Sequence, residues 1–245
     1  MSRVKGCLNG SREPGAHPAL PLTAAQLAAA ARGAAAAGAF AVHVHPRRAD
    51  GAQTLQPGPC GEAVAAIRAA CPGLPVGLST GAWIEPDPTR RLDLVAAWDP
   101  RPDFVSVNLH EPGAAELVRC LAELGIGVEA GIWNALGATW LVEADLTPLC
   151  LRVLVEPHDA EPAAALATVA AVDAVLDSAG VTLPRLYHGS ETSAWPVLEA
   201  MLARGRDVRV GLEDVLQMPD GTPAPDNAAL VAAAVALADG FSAPA

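Results

Sequence analysis

Short apolar runs rich in β-branched residues alternate along the chain with longer stretches rich in Ala and Leu. Apolar runs of about four to eight residues that end in a polar residue predict buried strands, and the longer stretches predict amphipathic helices. The predicted strands are residues 4–8, 41–45, 75–79, 104–108, 127–132, 151–155, 185–188 and 207–211. The predicted helices are residues 23–37, 61–70, 90–98, 114–124, 163–179, 193–204 and 228–238.

Strands that alternate with helices predict parallel βαβ units, and eight strands in 245 residues fit a closed (β/α)₈ barrel, a TIM barrel. An open doubly wound sheet is the alternative architecture. Such a sheet usually carries a GxGxxG loop after its first strand, and the segment that follows residue 8 here lacks that spacing. No long linker interrupts the pattern, so we expect one barrel domain over residues 1–245.

Composition and charge narrow the range of partners. Hydrophobic residues make up 51% of the chain, enough for a large core, and the net charge of −11 disfavours binding to nucleic acid. No apolar run is long enough to span a membrane, and the first residues lack the apolar core of a secretion signal. The five cysteines include no CxxC pair, so we expect reduced thiols and a cytoplasmic protein.

Polar side chains gather where the predicted strands end. In a barrel these ends meet at one mouth, which is where TIM-barrel enzymes place their active sites. The predicted mouth therefore contains a concentrated set of reactive groups. They are Asn9, Arg12, Glu13, His43, His45, Ser79, Thr80, Ser106, Asn108, Glu129, Glu156, His158, His188, Ser190, Glu191, Arg209, Glu213 and Asp214.

The second predicted strand carries the strongest chemical signal, because residues i and i+2 of a strand point to the same face. His43 and His45 therefore point the same way, and paired imidazoles are typical ligands of a divalent metal such as zinc. Two hydrogen-bonded core histidines are the alternative interpretation. A catalytic zinc needs a third protein ligand, and Glu213 is the best candidate since the eighth strand pairs with the first in a closed barrel. Glu213 could instead cap a helix N-terminus.

These segments resemble those of the β-keto acid cleavage enzymes, typified by the 3-keto-5-aminohexanoate cleavage enzyme of lysine fermentation. The combination of an HxHxR motif at residues 43–47 with an RxGxED motif at residues 209–214 is specific. The other shared segments are Asn9-Gly10, Leu20-Pro21-Leu22-Thr23, Gly38-Ala39, Asp50-Gly51, Ser79-Thr80-Gly81, Ser106-Val107-Asn108 and Asn227-Ala228-Ala229-Leu230-Val231.

The resemblance implies a TIM barrel with one Zn²⁺ held by His43, His45 and Glu213. It implies that a β-keto acid reacts with acetyl-CoA to give acetoacetate and a new acyl-CoA. Ser79 and Ser106 would contact the substrate. Arg209 would stabilise an anionic group, and Asp214 would transfer a proton or orient Arg209. It also implies a homodimer or homotetramer, in which the apolar helix 228–238 could serve as an interface.

The departures from the family pattern surround the substrate rather than the metal, so they predict a changed substrate. Either Arg12 or Glu13 occupies the place where the founding enzymes bind the substrate ammonium, and Arg12 would favour a second anionic or a neutral polar group. An acidic position near the fifth strand of the family aligns with Gly131.

Glu156 and His188 end strands whose loops do not follow the family pattern. His188 is a candidate for substrate binding together with Asn108, although it could instead be a general acid or base, a neighbour of the metal, or a structural histidine. Glu156 could bind an amine, orient a metal ligand, or be an ordinary loop carboxylate.

Two other functions use the same groups. A metal-dependent aldolase or hydrolase would act on a small keto acid without CoA, and a non-catalytic oligomeric barrel would only bind a small acid. Acetoacetate formation that requires acetyl-CoA separates the first alternative from acyl transfer. Replacing His45 tests the second alternative, because a non-catalytic barrel has no turnover to lose.

Overall fold

The structure of the protein is a computed structural model and describes residues 2–242. Eight parallel strands close into one barrel in chain order, as the sequence predicts. The strands are β1 Val4–Cys7, β2 Ala39–Val44, β3 Val76–Ser79, β4 Phe104–Asn108, β5 Gly127–Ile132, β6 Arg152–Val155, β7 Arg185–Tyr187 and β8 Asp207–Val210.

Eight helices surround the barrel, and their apolar faces pack against the strands. They are α1 Ala24–Ala36, α2 Pro57–Ala70, α3 Pro88–Ala96, α4 Ala114–Glu123, α5 Ala135–Glu143, α6 Pro162–Ser178, α7 Ala194–Leu202 and α8 Asn227–Ser242. Local sequence sets several starts: Thr23 and Gln26 form a capping box at α1, and Asp87 caps α3 with Pro88 in its first turn. None of the helices within residues 2–242 is long and apolar enough to cross a bilayer.

The α5 helix was missed by the sequence pattern. Its nine residues include Gly137 and Thr139, which weaken helix propensity, and its apolar positions show little helical periodicity. The side chain of Asn134 accepts a hydrogen bond from the Gly137 N–H and fixes the first turn. Here capping and packing against α6 outweigh the weak local signal.

Closure of the barrel brings the two ends of the chain together at the mouth. The β1 strand lies between β8 and β2, with Gly6 opposite Val210 and Cys7 opposite His43. Residues just beyond β8 therefore face the carboxyl end of β2 across a single strand. This register is what allows Glu213 to approach His43 and His45.

Glu129 was expected among the reactive groups at the mouth, but the structure places it inside the barrel. Its fully buried carboxylate pairs with Lys5 and lies 3.3 Å from Arg152 Nε. The Lys5 ammonium also lies over the Phe104 ring. A buried carboxylate needs such partners, so Glu129 serves the packed interior rather than the cavity.

Candidate active site

A cavity of about 190 Å³ opens at the carboxyl ends of the strands. Its walls come from most of the strands, as expected of a TIM-barrel active site. Nine of the eleven residues that the sequence nominated for metal, substrate or catalysis line this cavity. They are His43, His45, Ser79, Ser106, Asn108, His188, Arg209, Glu213 and Asp214.

Three of these residues form a compact metal-ligand set. Within the described residues, one group can hold an ion: His43, His45 and Glu213 each offer one ligand atom, and these atoms all lie within 4.8 Å of one another. His43 Nε2 is 3.9 Å from Glu213 Oε2, and His45 Nε2 is 3.7 Å from Glu213 Oε1. These distances exceed a hydrogen bond and suit donors that share a central cation.

The protonation of these residues also fits a cation. Burial, with His45 as the next cause, holds the pKa of His43 well below its ordinary value. Burial also lowers the pKa of His45, although Glu213 opposes the shift. Both imidazoles are therefore neutral, as ligation requires. Oε2 of Glu213 is buried without a hydrogen-bond partner inside residues 2–242, so it retains lone pairs for a ligand.

The neighbours of His45 fix its position and tautomer. His45 lies one residue beyond β2, where its N–H donates to Asn9 Oδ1 and its carbonyl accepts from Asn9 Nδ2, each at 2.8 Å. The Asn9 side chain thus makes the two backbone hydrogen bonds to His45 that a neighbouring strand would otherwise make. Gln53 Oε1 lies 2.6 Å from His45 Nδ1 and also accepts from Trp83 Nε1, so Nδ1 carries the proton and Nε2 keeps its lone pair.

Glu213 reaches the histidines because Gly10 leaves room for it. Gly10 has a φ of +54°, and a Cβ at this position would overlap the side chain of Glu213. The Arg47 guanidinium donates to the carbonyl oxygens of Gly10 and Arg12 and holds the loop in this path. The last residue of the HxHxR motif therefore supports the site without lining the cavity.

Arg209 joins the metal-ligand set to a second group of charges. Its Nη2 donates to Glu213 Oε1 at 2.9 Å and to Asp214 Oδ1 at 2.6 Å. Although burial opposes it, the Asp214 carboxylate is the main cause that raises the pKa of Arg209 well above its ordinary value. Burial acts to raise the pKa of Asp214, but Arg209 and His188 overcome it and hold that pKa far below the ordinary value.

Glu156 and His188 continue this group around the mouth. His188 Nε2 lies 3.2 Å from Glu156 Oε2, and His188 Nδ1 lies 3.3 Å from Asp214 Oδ1. Trp133 Nε1 donates to Glu156 Oε1 at 3.1 Å. The Trp133 ring also lies against the rings of His110 and His158, with centroid distances of 3.9 and 3.8 Å.

Three of the residues expected to contact substrate lie on neighbouring strands. Ser79 ends β3, and Ser106 and Asn108 lie on β4, so all three line the same side of the cavity. Asn108 Nδ2 donates to Glu111 Oε1 at 2.9 Å, which leaves the amide oxygen of Asn108 as an acceptor. Their contact with a substrate stays a prediction.

Arg12 and Glu13 are the two nominated residues that the structure does not bring into this lining. Arg12 Nε donates to the Leu212 carbonyl at 2.9 Å, and Arg12 Nη1 lies 2.5 Å from Glu191 Oε1. Glu13 lines a separate, adjoining cavity of about 470 Å³. Of the loop after β1, the residue that lines the site is Ser11.

Sequence reasoning did not find Gln53 and gave Trp133 no part in orienting Glu156. Gln53 lies in a loop eight residues beyond His45, and nothing in its local pattern distinguishes it from a surface glutamine. Trp133 follows β5, but its hydrogen bond to Glu156 depends on the pairing of β5 with β6.

The family profile described as beta-keto acid cleavage enzyme matches residues 4–136 and 152–245. A search of curated proteins found no significant sequence match. The apo structure of ObcA superposes with a TM-score of 0.74 at 15% identity, covering 92% of this chain and 63% of the ObcA chain.

Other solved structures place the chain among barrels of the same type. The ternary complex of ObcA with a C4-CoA adduct and oxalate gives a TM-score of 0.73 at 15% identity, over 92% of this chain and 65% of that one. Thiamine phosphate pyrophosphorylase from Pyrococcus furiosus gives 0.58 at 11% identity, over 98% and 97% of the two chains. This chain therefore spans less than two thirds of the length of those two ObcA chains, and the superpositions alone establish the fold.

The unmatched residues 137–151 contain most of α5 and the turn that follows, on the outside of the barrel, whereas the matched ranges contain all nine nominated residues that line the cavity. The chain belongs to the β-keto acid cleavage enzyme family.

Proposed function

We propose that this chain is a zinc-dependent acyltransferase that converts a β-keto acid and acetyl-CoA into acetoacetate and a new acyl-CoA. One observation carries the proposal: the ligand atoms of His43, His45 and Glu213 converge within 4.8 Å, directly beside Arg209 and Asp214. Two imidazoles and one carboxylate leave a coordination position open, which is typical of catalytic zinc.

His43, His45 and Glu213 would hold the ion. A bound zinc supplies Lewis-acid polarisation of a carbonyl oxygen. Arg209 provides the anion-binding group, because its Nε is buried without a partner within the described chain and its guanidinium has the geometry to bind a carboxylate. The carboxylate of the β-keto acid would therefore lie toward Arg209, with its keto oxygen toward the two histidines.

Asp214 is ionised in this environment, since Arg209 and His188 keep its pKa low. A carboxylate with so low a pKa is a weak base, so its main contribution is to accept a hydrogen bond and to orient Arg209. Its Oδ2 atom is buried and has no partner among residues 2–242, so it retains lone pairs for a substrate or for the α-protons of a thioester. Ser79, Ser106 and Asn108 would complete the binding surface.

The family and one fold neighbour support these substrates. The family profile bears the name of β-keto acid cleavage, and structures of ObcA are described with oxaloacetate and with a C4-CoA adduct. Both point to a keto acid and a CoA thioester for this chain. We also propose that the chain forms a homodimer or homotetramer, with α8 as the candidate interface.

The proposal is tested by metal analysis followed by turnover. Purified protein is analysed for zinc, then incubated with a panel of β-keto acids with and without acetyl-CoA, and acetoacetate and acyl-CoA are measured by mass spectrometry. We expect about one zinc per chain and products only when acetyl-CoA is present. Cleavage without acetyl-CoA would indicate an aldolase or hydrolase, and absence of turnover over the whole panel would contradict the proposal. Size-exclusion chromatography with light scattering tests the oligomeric state.

A further inference from the structure

A continuous chain of hydrogen bonds and ion pairs crosses the mouth of the barrel on the side away from the two histidines. It runs from Trp133 through Glu156 and His188 to Asp214, and each of these residues follows a different strand from β5 to β8. Three of the four side chains are nine-tenths or more buried: Glu156 at 7%, His188 at 5% and Asp214 at 3% exposure.

The partners of His188 determine where its protons lie. Nδ1 faces two acceptors, the Gly189 carbonyl at 3.1 Å and Asp214 Oδ1 at 3.3 Å. Nε2 faces Glu156 Oε2 at 3.2 Å, also an acceptor. Each nitrogen therefore has to carry a hydrogen, and the imidazole bridges the two carboxylates as a double donor. Burial and the nearby Arg209 oppose this charged form, yet the two carboxylates raise the pKa of His188 above its ordinary value.

The bridge determines which oxygen of Asp214 is left for a ligand. Asp214 Oδ1 accepts from Arg209 Nη2 at 2.6 Å and faces His188 Nδ1. Asp214 Oδ2 is buried without a partner among residues 2–242. With His188 and Arg209 both on Oδ1, the carboxylate is held in one orientation, and Oδ2 is the oxygen left to accept from a ligand. His188 in turn is held in place by Glu156.

Glu156 reaches this chain because β5 has no side chain at residue 131. A Cβ on Gly131 would overlap Glu156 Oε1 and come within 2.7 Å of Asn108 Oδ1. The Glu156 carboxylate, which extends from the end of β6, thus occupies the volume that a side chain at residue 131 of β5 would fill. The two closest overlaps are with the far ends of flexible side chains, and the Val107 carbonyl oxygen lies 3.2 Å away and would have to shift by a few tenths of an ångström. A methyl group at residue 131 would therefore displace Glu156 with a small adjustment of β4.

We propose that Glu156 and His188 are positioning residues that act through Asp214. In this proposal the missing side chain at Gly131 leaves the volume that the Glu156 carboxylate needs to reach His188. The inference rests on the proposed acyl transfer for its kinetic test, but its structural test does not. Neither residue is required to touch the substrate, because both donors of His188 and one lone pair on each Glu156 oxygen are engaged within the chain.

The kinetic test compares Glu156→Gln with Glu161→Gln. The glutamine amide has one acceptor oxygen, so either Trp133 or the doubly protonated His188 loses its acceptor. Glu161 is an exposed cap of α6 in the same loop, and its side chain accepts from the Ala164 N–H. We expect kcat of Glu156→Gln to fall about 100-fold, as for a misplaced catalytic group, with KM for the β-keto acid within about threefold and zinc content unchanged. Glu161→Gln should match the wild type.

Two further variants separate positioning from folding. His188→Asn keeps a donor in the place of Nδ1 and should retain about tenfold more kcat than His188→Ala. Gly131→Ala should lose at least as much kcat as Glu156→Gln. It should add a smaller loss in the Glu156→Ala background, because there only Asn108 remains for the methyl group to displace.

Crystal structures of the zinc-loaded Glu156→Ala and His188→Ala proteins should show the Asp214 carboxylate turned away from its wild-type orientation. An unchanged Asp214, or a kcat within about threefold of wild type in both Glu156→Gln and His188→Ala, would overturn the proposal. A raised KM with unchanged kcat would also overturn it, since Glu156 would then bind substrate directly. If the wild type forms no acetoacetate, the acyl-transfer proposal fails while the orientation of Asp214 remains a direct test of this one.

Discussion

The two halves of the barrel mouth satisfy their polar groups in opposite ways. In the metal half, formed by Asn9, His43, His45 and Glu213, the three ligand side chains converge without hydrogen-bonding one another. In the hydrogen-bond half, formed by Trp133, Glu156, His188 and Asp214, every side chain has a partner in the chain. Buried polar groups require partners, so the first half has the arrangement expected of residues that a ligand completes. In the second half the side chains partner one another, and Asp214 Oδ2 is the atom without a partner among residues 2–242.

Arg209 belongs to both halves. One nitrogen, Nη2, donates to Glu213 in the metal half and to Asp214 in the hydrogen-bond half. The contrast therefore predicts three classes of variant: those that lose the ion, those that lose turnover but keep the ion, and those that disturb both.

The largest effect is expected from His45→Ala, which removes a ligand from the metal half. Loss of Lewis-acid stabilisation worth several kcal/mol corresponds to a fall in kcat/KM of about 10³-fold or more. Zinc content, measured by mass spectrometry of the purified protein, should fall well below that of the wild type. Full zinc occupancy in this variant would show that the ion is held elsewhere, and the contrast between the two halves would disappear.

Arg209→Lys is expected to have the next largest effect, because an ammonium cannot contact both carboxylates and a substrate with the same geometry. We expect kcat/KM to fall about 10²-fold to 10³-fold, a loss comparable to that of an oxyanion-hole donor. Zinc affinity should also change, since Glu213 loses its donor, and a competitive chelator titration measures this. Unchanged zinc affinity would place Arg209 in the hydrogen-bond half alone.

Gln53→Ala tests whether the metal half depends on its supporting hydrogen bonds. Removing the acceptor of His45 Nδ1 should weaken zinc binding about 10-fold to 100-fold, as for other outer partners of metal ligands. Gln53→Glu is the matched control, because its carboxylate still accepts from Nδ1 and should keep or strengthen affinity. Equal affinities of the alanine and glutamate variants would contradict a role for this hydrogen bond.

The difference between the halves also explains what the sequence could reveal. His43 and His45 lie two positions apart on one strand, so their convergence follows from strand geometry alone, and Glu213 follows from closure of the barrel. Glu156 and His188 lie 32 residues apart, and their contact depends on the pairing of β6 with β7, on the register, and on the empty volume at Gly131. Local sequence spacing does not reveal strand register or empty volume. The sequence therefore nominated both residues without predicting the contact between them.

The position of Glu129 illustrates the same limit at the level of a single strand. The sequence placed it among the mouth residues, yet it lies opposite Arg152 on β6 and pairs with Lys5 inside the barrel. A charged residue on a barrel strand is buried or exposed to the mouth according to its layer, and the layer is set by strand tilt rather than by composition. The α5 helix was missed for a comparable reason, since packing rather than periodicity stabilises it.

Arg12→Ala is expected to have the smallest effect, and it tests a sequence-based hypothesis. If Arg12 selects a second anionic group, the variant should raise KM for dicarboxylic β-keto acids more than for neutral ones. The structure favours another outcome, because the guanidinium contacts Glu191 and the Leu212 carbonyl outside the cavity lining.

The Glu191 side chain is 55% exposed, so this ion pair contributes at most about 1 kcal/mol to stability. We therefore expect kcat and KM of Arg12→Ala to stay within about threefold of wild type for every β-keto acid. Glu191→Ala, which removes the other partner of the ion pair, is the matched control and should give the same result. A selective rise in KM for dicarboxylates in Arg12→Ala but not in Glu191→Ala would mean that Arg12 leaves its ion pair when substrate binds. Substrate selection would then extend beyond both halves into the loop after β1.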